Sequence, residues 1–323
     1  MRCLDLRSAF EFGCGHVAHA VHIDGLEALR SRFSTLPAPG VEFVVVCGPD
    51  AHQVANIFQP PARWRIAEIV GVVDEPEHAT CSTLPPHPVR ILTRAAFHVW
   101  ADEHGGLRYG TERGSDDEPH LLFDPAPIIA RTTAYLDRSN ISILDVGCGA
   151  GRDLTYMLTQ ARAQGKVWRA TALDRWRAAL ERARQLFDDN GLLCSHCDGI
   201  VCAKVPDDGS LTADLPRSAY DVVIMIRFWH FAFLERLPQI LAPGGILVLS
   251  HFCHEPHKVG RVVAPVRAEY DSPPIDTRIQ PGDMERLLDH WNGHGAFCVV
   301  DSRIEPIEDG RPVHSIVIQR KFV

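Results

Sequence analysis

Nowhere in its 323 residues does the chain carry an apolar run long enough to span a bilayer. Its opening, MRCLDLRSAFEF, lacks the long apolar core of a secretory leader. A cytoplasmic location is therefore expected. The ten cysteines follow no small disulfide-scaffold spacing, which favours free thiols in a reducing compartment. No second CxxC pair stands at zinc-ribbon spacing from Cys194–Cys197 in CSHCDGIVC, and no metal site is expected. Positive charge is not in excess: 33 Lys and Arg face 41 Asp and Glu, a net charge of −8. Binding to nucleic acid or to an anionic membrane by charge alone is thus disfavoured. Repeats and low-complexity tracts are missing too. What is present, 46% hydrophobic and 23% charged residues, is the composition of a globular protein long enough for two domains.

Two polar stretches punctuate the chain. DEPEHATCSTLPPHP, Asp74 to Pro88, is rich in Pro and charge, and GTERGSDDEPH, Gly110 to His120, reads as a loop. They divide the chain into a first domain over 1–73, a linker or connector over 74–119, within which RILTRAAFHVWADEHGGLRYG reads as a hairpin or a connector, and a second domain over 120–323. In the first domain VEFVVVC is a buried-strand run, HQVANIF is helical in pattern and RWRIAEIVG is strand-like.

The second domain alternates strands and helices. ISILDVG, WRATALD, LLCSHCD, YDVVIMIRF and GGILVLSHF read as strands. RDLTYMLTQARA places Leu154, Met157, Leu158 and Ala161 on one helical face. RWRAALERARQLF places Trp176, Ala179, Leu180, Ala183 and Phe187 on another. The alternation predicts an α/β, doubly wound, largely parallel sheet. FCVVDSRIE and HSIVIQRK, flanking DGRP, predict a terminal antiparallel hairpin at its edge.

ILDVGCGAGRD joins the first strand of this domain to its first helix. Gly147, Gly149 and Gly151 let backbone approach a ligand closely. Arg152 breaks the G-x-G-x-x-G spacing of a dinucleotide loop. Asp174 ends the second strand, where a carboxylate can accept hydrogen bonds from ribose hydroxyls. Asp198 ends the third candidate strand, where it can receive an amino group. LAPGG turns into the fifth.

With these motifs the chain from His120 onward resembles class I S-adenosylmethionine-dependent methyltransferases. The resemblance implies a Rossmann-like fold with S-adenosylmethionine as cofactor. It implies that Gly147, Gly149 and Gly151 approach the methionine and ribose, that Asp145 orients the ammonium, that Asp174 binds the ribose diol and that Asp198 meets the adenine. GAGRD and IRFWHF resemble the tellurite-resistance type, which implies a small acceptor such as a thiol or chalcogen oxyanion. No Asn-Pro-Pro-Tyr type signature follows the fourth strand, which argues against amide N-methylation. Arg227 and His230 stand there instead, the first suited to hold an anion and the second to serve as a general base. His251, Cys253, His254 and His257 follow strand five.

LDLRSAFEFGCGHVAHAVHI resembles the start of a rhodanese-like domain through Asp5, Arg7, Glu11, Phe12, Gly15, His16, Ala20, His22 and Ile23. In active members of that family a cysteine ends the central strand and its persulfide is cradled by loop amides. Cys47 matches that position. Pro49 removes an amide donor, Asp50 adds a negative charge, and His52 stands where an arginine is usual, so a degenerate site is expected. The alternatives to methyl transfer are a sulfurtransferase whose second domain only senses the cofactor, and a non-catalytic scaffold.

Overall fold

The computed structural model describes residues 1–59, 64–75, 81–84, 87–110, 121–211, 213–267, 269–293 and 296–322. The chain divides into two units, Met1–Asp124 and Pro125–Val323.

The first unit runs β1 (Cys3–Asp5), α1 (Ala9–Gly13), β2 (His16–Val17), β3 (Val21–His22), α2 (Gly25–Ser31), β4 (Glu42–Cys47), α3 (Ala51–Ile57), β5 (Arg65–Val73), β6 (Cys81–Leu84), β7 (His87–Thr93), α4 (Arg94–Glu103) and β8 (Leu107–Arg108). Six strands form one sheet in the order β3-β1-β4-β5-β7-β6, and only β6 runs antiparallel to its neighbour. The run Phe43–Cys47 is buried throughout, as a central parallel strand covered on both faces must be. Where a hairpin-like connector was expected after Asp74, β7 joins the sheet and α4 buries Phe97 and Trp100. Ile91, Leu92, Phe97 and Trp100 of RILTRAAFHVW belong to this unit's core, the first two at strand and the last two at helix spacing, whereas Val99 is exposed. The stretch 111–120 lies outside the described residues, as does part of 74–88. A buried ion pair stiffens the unit: Arg7 donates to both carboxylate oxygens of Asp5 and to the Gly15 carbonyl, with its guanidinium 4.4 Å from the Phe97 ring centre. Removing one partner of such a pair costs about 3–5 kcal/mol.

The second unit runs α5 (Pro127–Tyr135), β9 (Asn140–Val146), α6 (Arg152–Ala163), β10 (Val167–Asp174), α7 (Arg177–Asp189), α8 (Leu193–His196), β11 (Cys197–Cys202), β12 (Tyr220–Ile226), α9 (Phe231–Arg236), β13 (Leu241–Phe252), α10 (Pro256–Val259), α11 (Asp283–Asn292), β14 (Phe297–Pro306) and β15 (Pro312–Arg320). Its seven-stranded sheet has the order β11-β10-β9-β12-β13-β15-β14. The first five strands are parallel, and β15 inserts antiparallel between β13 and the edge strand β14. This is a Rossmann-like α/β fold. The strand order reverses between β9 and β12, and their carboxyl ends flank a crevice where ligands bind in such sheets. Leu154, Met157, Leu158 and Ala161 of α6 are buried against the sheet as their spacing predicts.

Trp176 departs from expectation. It is 62% exposed, because α7 begins one residue later and Trp176 is its N-cap, outside the helical stripe of Ala179, Leu180, Ala183 and Phe187. The segment read as a third strand, LLCSHCD, is also divided. Its first part forms the short helix α8, and the strand begins only at Cys197.

Candidate active site

The glycine loop hangs on the neighbouring strand. The amides of Gly147 and Cys148 both donate to the Leu173 carbonyl, at 2.8 and 3.0 Å, so the loop turns at the end of β10. The three glycines do different work. A Cβ on Gly147 would lie 2.9 Å from Phe228, and one on Gly151 would lie 3.0 Å from Ala183 and Phe187, so these two admit close packing. Gly149 has φ +55° and nothing within 4 Å of a Cβ, so its outer side is open space.

Asp174 closes the loop from the other side. Its Oδ2 accepts the Gly149 amide at 2.9 Å and its Oδ1 the Trp176 amide at 2.8 Å. Each oxygen keeps a lone pair for a ligand hydroxyl. Arg175 lays its guanidinium 4.8 Å from the exposed Trp176 ring.

Asp145 is buried on β9, between β10 and β12 in the sheet. Burial pushes its carboxyl well above the usual range, and the charges of Asp153 and Asp174 push it further. Asp153, in the first turn of α6, is raised by burial as well, although its carboxylate accepts the Ala126 amide at 2.8 Å. The charges of Asp153 and Asp174 both reach the buried Asp145 carboxyl, an arrangement suited to a cation. An ammonium or sulfonium held beside them fits this chemistry, and the open side of Gly149 fits a ligand lying against backbone. Asp153 had no role in the sequence reading; only its position at the helix start hinted at one.

Asp198 does not join this group. Because β11 starts at Cys197, Asp198 sits near its amino end, the wrong end of the sheet for the crevice. Its carboxylate is occupied by Arg169 and Arg217. Burial acts to raise its pKa, but the two guanidiniums outweigh burial and hold it below the usual value. The residue level with Asp174 is Cys202. Cys194 lies exposed on α8, not on a strand. Among the described residues no group of three or more His, Cys, Asp or Glu is placed to hold a metal ion.

Beyond β12, Arg227 has φ +57°, its amide donates to the Ser250 carbonyl at 2.6 Å, and its exposed guanidinium meets Glu308 at 3.0 Å. His230 is the N-cap of α9, its Nδ1 accepting the Phe233 amide at 3.2 Å. With Nδ1 committed, the neutral ring carries its proton on Nε2 and offers a donor there, which counts against the general-base role expected for it. On strand five, His251 and Cys253 are buried, the thiol pushed up to about 12 by burial, while His257 is exposed.

In the first unit Cys47 ends β4 but is 2% exposed, and its Sγ donates to the Val70 carbonyl at 3.7 Å. Burial, then Asp5 and Asp50, push its thiol far above the ordinary range. His52 is exposed on α3.

Residues 144–247 match the model of a methyltransferase domain family. The uncharacterized protein UNK4.09 of Schizosaccharomyces pombe is 25% identical over 99% of this chain and 94% of its own length. A ubiquinone biosynthesis O-methyltransferase of Rickettsia canadensis is 29% identical over 37% of this chain, and the chain spans 46% of that enzyme's length. Among solved structures, a SAM-dependent methyltransferase from Aquifex aeolicus is 19% identical with a TM-score of 0.41, covering 61% of this chain and 94% of its own. A magnesium protoporphyrin IX methyltransferase from Synechocystis with bound SAH is 16% identical with a TM-score of 0.40, covering 60% of this chain and 80% of its own. Residues 144–247 are a methyltransferase domain, its cofactor is S-adenosylmethionine, and the chain is an S-adenosylmethionine-dependent methyltransferase.

Proposed function

We propose that the chain methylates a small acceptor, a thiol or a chalcogen oxyanion, with Gly147, Gly149, Gly151, Asp145 and Asp174 holding the cofactor. Asp174 takes the ribose diol on its free lone pairs, and Asp145 and Asp153 face the cationic methionine end. The adenine passes to the end of β11, near Cys202, since Asp198 is occupied elsewhere. The observation that carries the cofactor reading is the Asp174 carboxylate tied to the open-sided Gly149.

Support for a small anionic acceptor comes from Arg227, a cation at the carboxyl end of β12 whose guanidinium is held by Glu308 at the surface, where a competing oxyanion can replace it. The likeness to an O-methyltransferase favours a second class, a hydroxyl acceptor. In the first unit, a parallel sheet whose strand β4 ends in Cys47 supports the rhodanese-like reading, and the burial of that thiol supports a domain without sulfurtransferase activity. The tellurite-resistance likeness stays with the GAGRD and IRFWHF motifs. A cytoplasmic enzyme without nucleic-acid or membrane partners is consistent with the charge, and no helix among the described residues is long and apolar enough to cross a membrane.

Calorimetry with S-adenosylmethionine, followed by an acceptor panel of thiols, selenite, tellurite and phenols, tests the proposal. Methylation of thiols or oxyanions is expected. Exclusive methylation of phenols would replace the acceptor class, and absence of cofactor binding would remove the assignment.

A further inference from the structure

Beyond β13 the chain builds a pocket that the cofactor reading leaves unused. The segment 270–280 is fastened past the carboxyl end of that strand. The Ile279 amide donates to the Phe252 carbonyl at 2.9 Å, and the His254 amide to the Ile279 carbonyl at 2.9 Å. Ligands bind at this end of the parallel strands in such sheets. Tyr270, Asp271, Ile275, Asp276, Arg278 and Gln280 line a pocket of about 580 Å³, within the range of small-molecule sites.

Arg278 is 4% exposed. Its Nε donates to the Pro273 carbonyl at 2.8 Å and its Nη2 to the Tyr270 carbonyl at 2.6 Å. The guanidinium lies 3.7 Å from the centre of the Tyr270 ring, and that ring is held in turn by its hydroxyl, which donates to the Cys253 carbonyl at 2.7 Å. These contacts orient the guanidinium but bring it no negative charge. Among the described residues Arg278 forms no ion pair, and its Nη1 donates to no carbonyl or carboxylate. A cation buried to this degree is ordinarily paired with an acid. Part of its planar fork is left for an outside carboxylate.

The other lining residues define the rest of the ligand. Tyr270 and Arg278 are buried and form the inner wall, while Asp271 and Asp276 are exposed and form the outer one. A purely anionic ligand would approach Arg278 past two carboxylates that repel it. A ligand that also carries an ammonium meets each charge with its opposite. Gln280 donates through Nε2 to the Ile275 and Arg278 carbonyls, at 2.6 and 3.0 Å, so its remaining polar atom is an acceptor suited to an ammonium. Ile275, 54% exposed, adds apolar surface. We propose that this pocket binds a small zwitterion of the free amino-acid class, its carboxylate on Arg278 and its ammonium toward Asp271 and Asp276. The site stands apart from the methyl-transfer reading and does not depend on it.

The test is calorimetry on the full chain in excess S-adenosylhomocysteine, which keeps amino acids out of the cofactor's methionine site. L-Leucine, L-methionine and L-phenylalanine are the probes. At least one is expected to bind with a Kd on the order of 0.1–1 mM, fitting for a ligand of so few atoms. Its N-acetyl form, without the ammonium, and its amide, without the carboxylate, are each expected to bind at least about tenfold more weakly. Replacing the two exposed acids together, Asp271→Asn with Asp276→Asn, is expected to weaken the amino acid at least about fivefold and its N-acetyl form not at all. Arg278→Lys keeps the charge but not the fork and is expected to weaken the amino acid about tenfold. If that variant does not fold, the modified ligands, used on the unaltered chain, decide the matter. Absence of binding by all three probes at about 10 mM, equal binding of the modified forms, or an unchanged double variant overturns the site. Binding that appears only without S-adenosylhomocysteine belongs to the cofactor site and overturns it too. Failure of the chain to bind S-adenosylhomocysteine removes the methyltransfer proposal and leaves this one standing on the same measurements.

Discussion

The backbone amide of Gly149 donates to Oδ2 of Asp174 at 2.9 Å, so the acid that ends β10 also sets the shape of the loop that follows β9. Replacing Asp174 therefore removes a ligand contact and a loop anchor together. Asp174→Ala is expected to weaken S-adenosylmethionine binding by about 1.5–3 kcal/mol, the scale of hydrogen bonds to a charged group. Calorimetry on the folded variant reads this directly, and unchanged affinity would take Asp174 out of the site.

The glycines of the same loop separate binding from folding. A Cβ on Gly149 meets no atom within 4 Å, so the main cost of Gly149→Val to stability is the strain of φ +55°, about 1–2 kcal/mol. Cofactor binding is expected to vanish while the melting transition stays cooperative. Gly151→Val adds a collision with Ala183 and Phe187 to similar strain at φ +73° and is expected to lower the melting temperature further. Normal binding by Gly149→Val would show that the ligand lies elsewhere.

Asp145 makes stability depend on pH in a set direction. Its folded pKa lies well above 3.8, the value expected for the unfolded chain. Between those two values the native state holds the extra proton, so this contribution is full below the lower pKa and is lost as pH rises through the higher one. Asp145→Asn is expected to raise the melting temperature of the ligand-free protein near neutral pH and to weaken cofactor binding. Binding of the cationic cofactor is expected to release protons, seen as a buffer-dependent calorimetric enthalpy that shrinks in the variant. Proton uptake instead would reverse the electrostatic assignment.

Cys47 tests the first unit. A buried thiol beside Asp5 and Asp50 is a poor nucleophile. In the native protein its alkylation by iodoacetamide is expected to be at least ~10²-fold slower than that of exposed Cys194, and incubation with thiosulfate is expected to leave no persulfide by mass spectrometry. Methyl transfer is expected to survive Cys47→Ala. A stoichiometric persulfide on Cys47, lost together with methylation in that variant, would point to a sulfur relay.

The glycine loop, Asp174 and the alternation of strands and helices are legible in the sequence because each is local. A strand run followed at once by Gly147, Gly149 and Gly151 can only turn tightly, and an acid at the end of the next strand then falls beside that turn. The buried stripe of α6 is legible for the same reason, since spacing along a helix fixes its face. Trp176 was misplaced because spacing does not say where a helix begins, and one residue decides between stripe and cap. Asp198 was misplaced because four residues of LLCSHCD coil into α8, sliding the strand and carrying the acid to its opposite end, where Arg169 and Arg217 take it.

His251 and His314 show what sequence pattern cannot hold. His251 is visible after the strand-five run and His314 sits in an apolar strand, but nothing in their spacing says that they meet. They face one another because β15 returns antiparallel beside β13 in one register, and a shift of one residue would turn either ring to the other face of the sheet. Nε2 of His251 meets a carbonyl at Thr277, brought back from a separate segment. Local spacing gave the chain its loop, its acid and its fold class, since those depend on neighbours along the backbone. Which charges are paired, which histidines are buried and which thiol is sealed depend on neighbours across the sheet, and only the packed structure determined them.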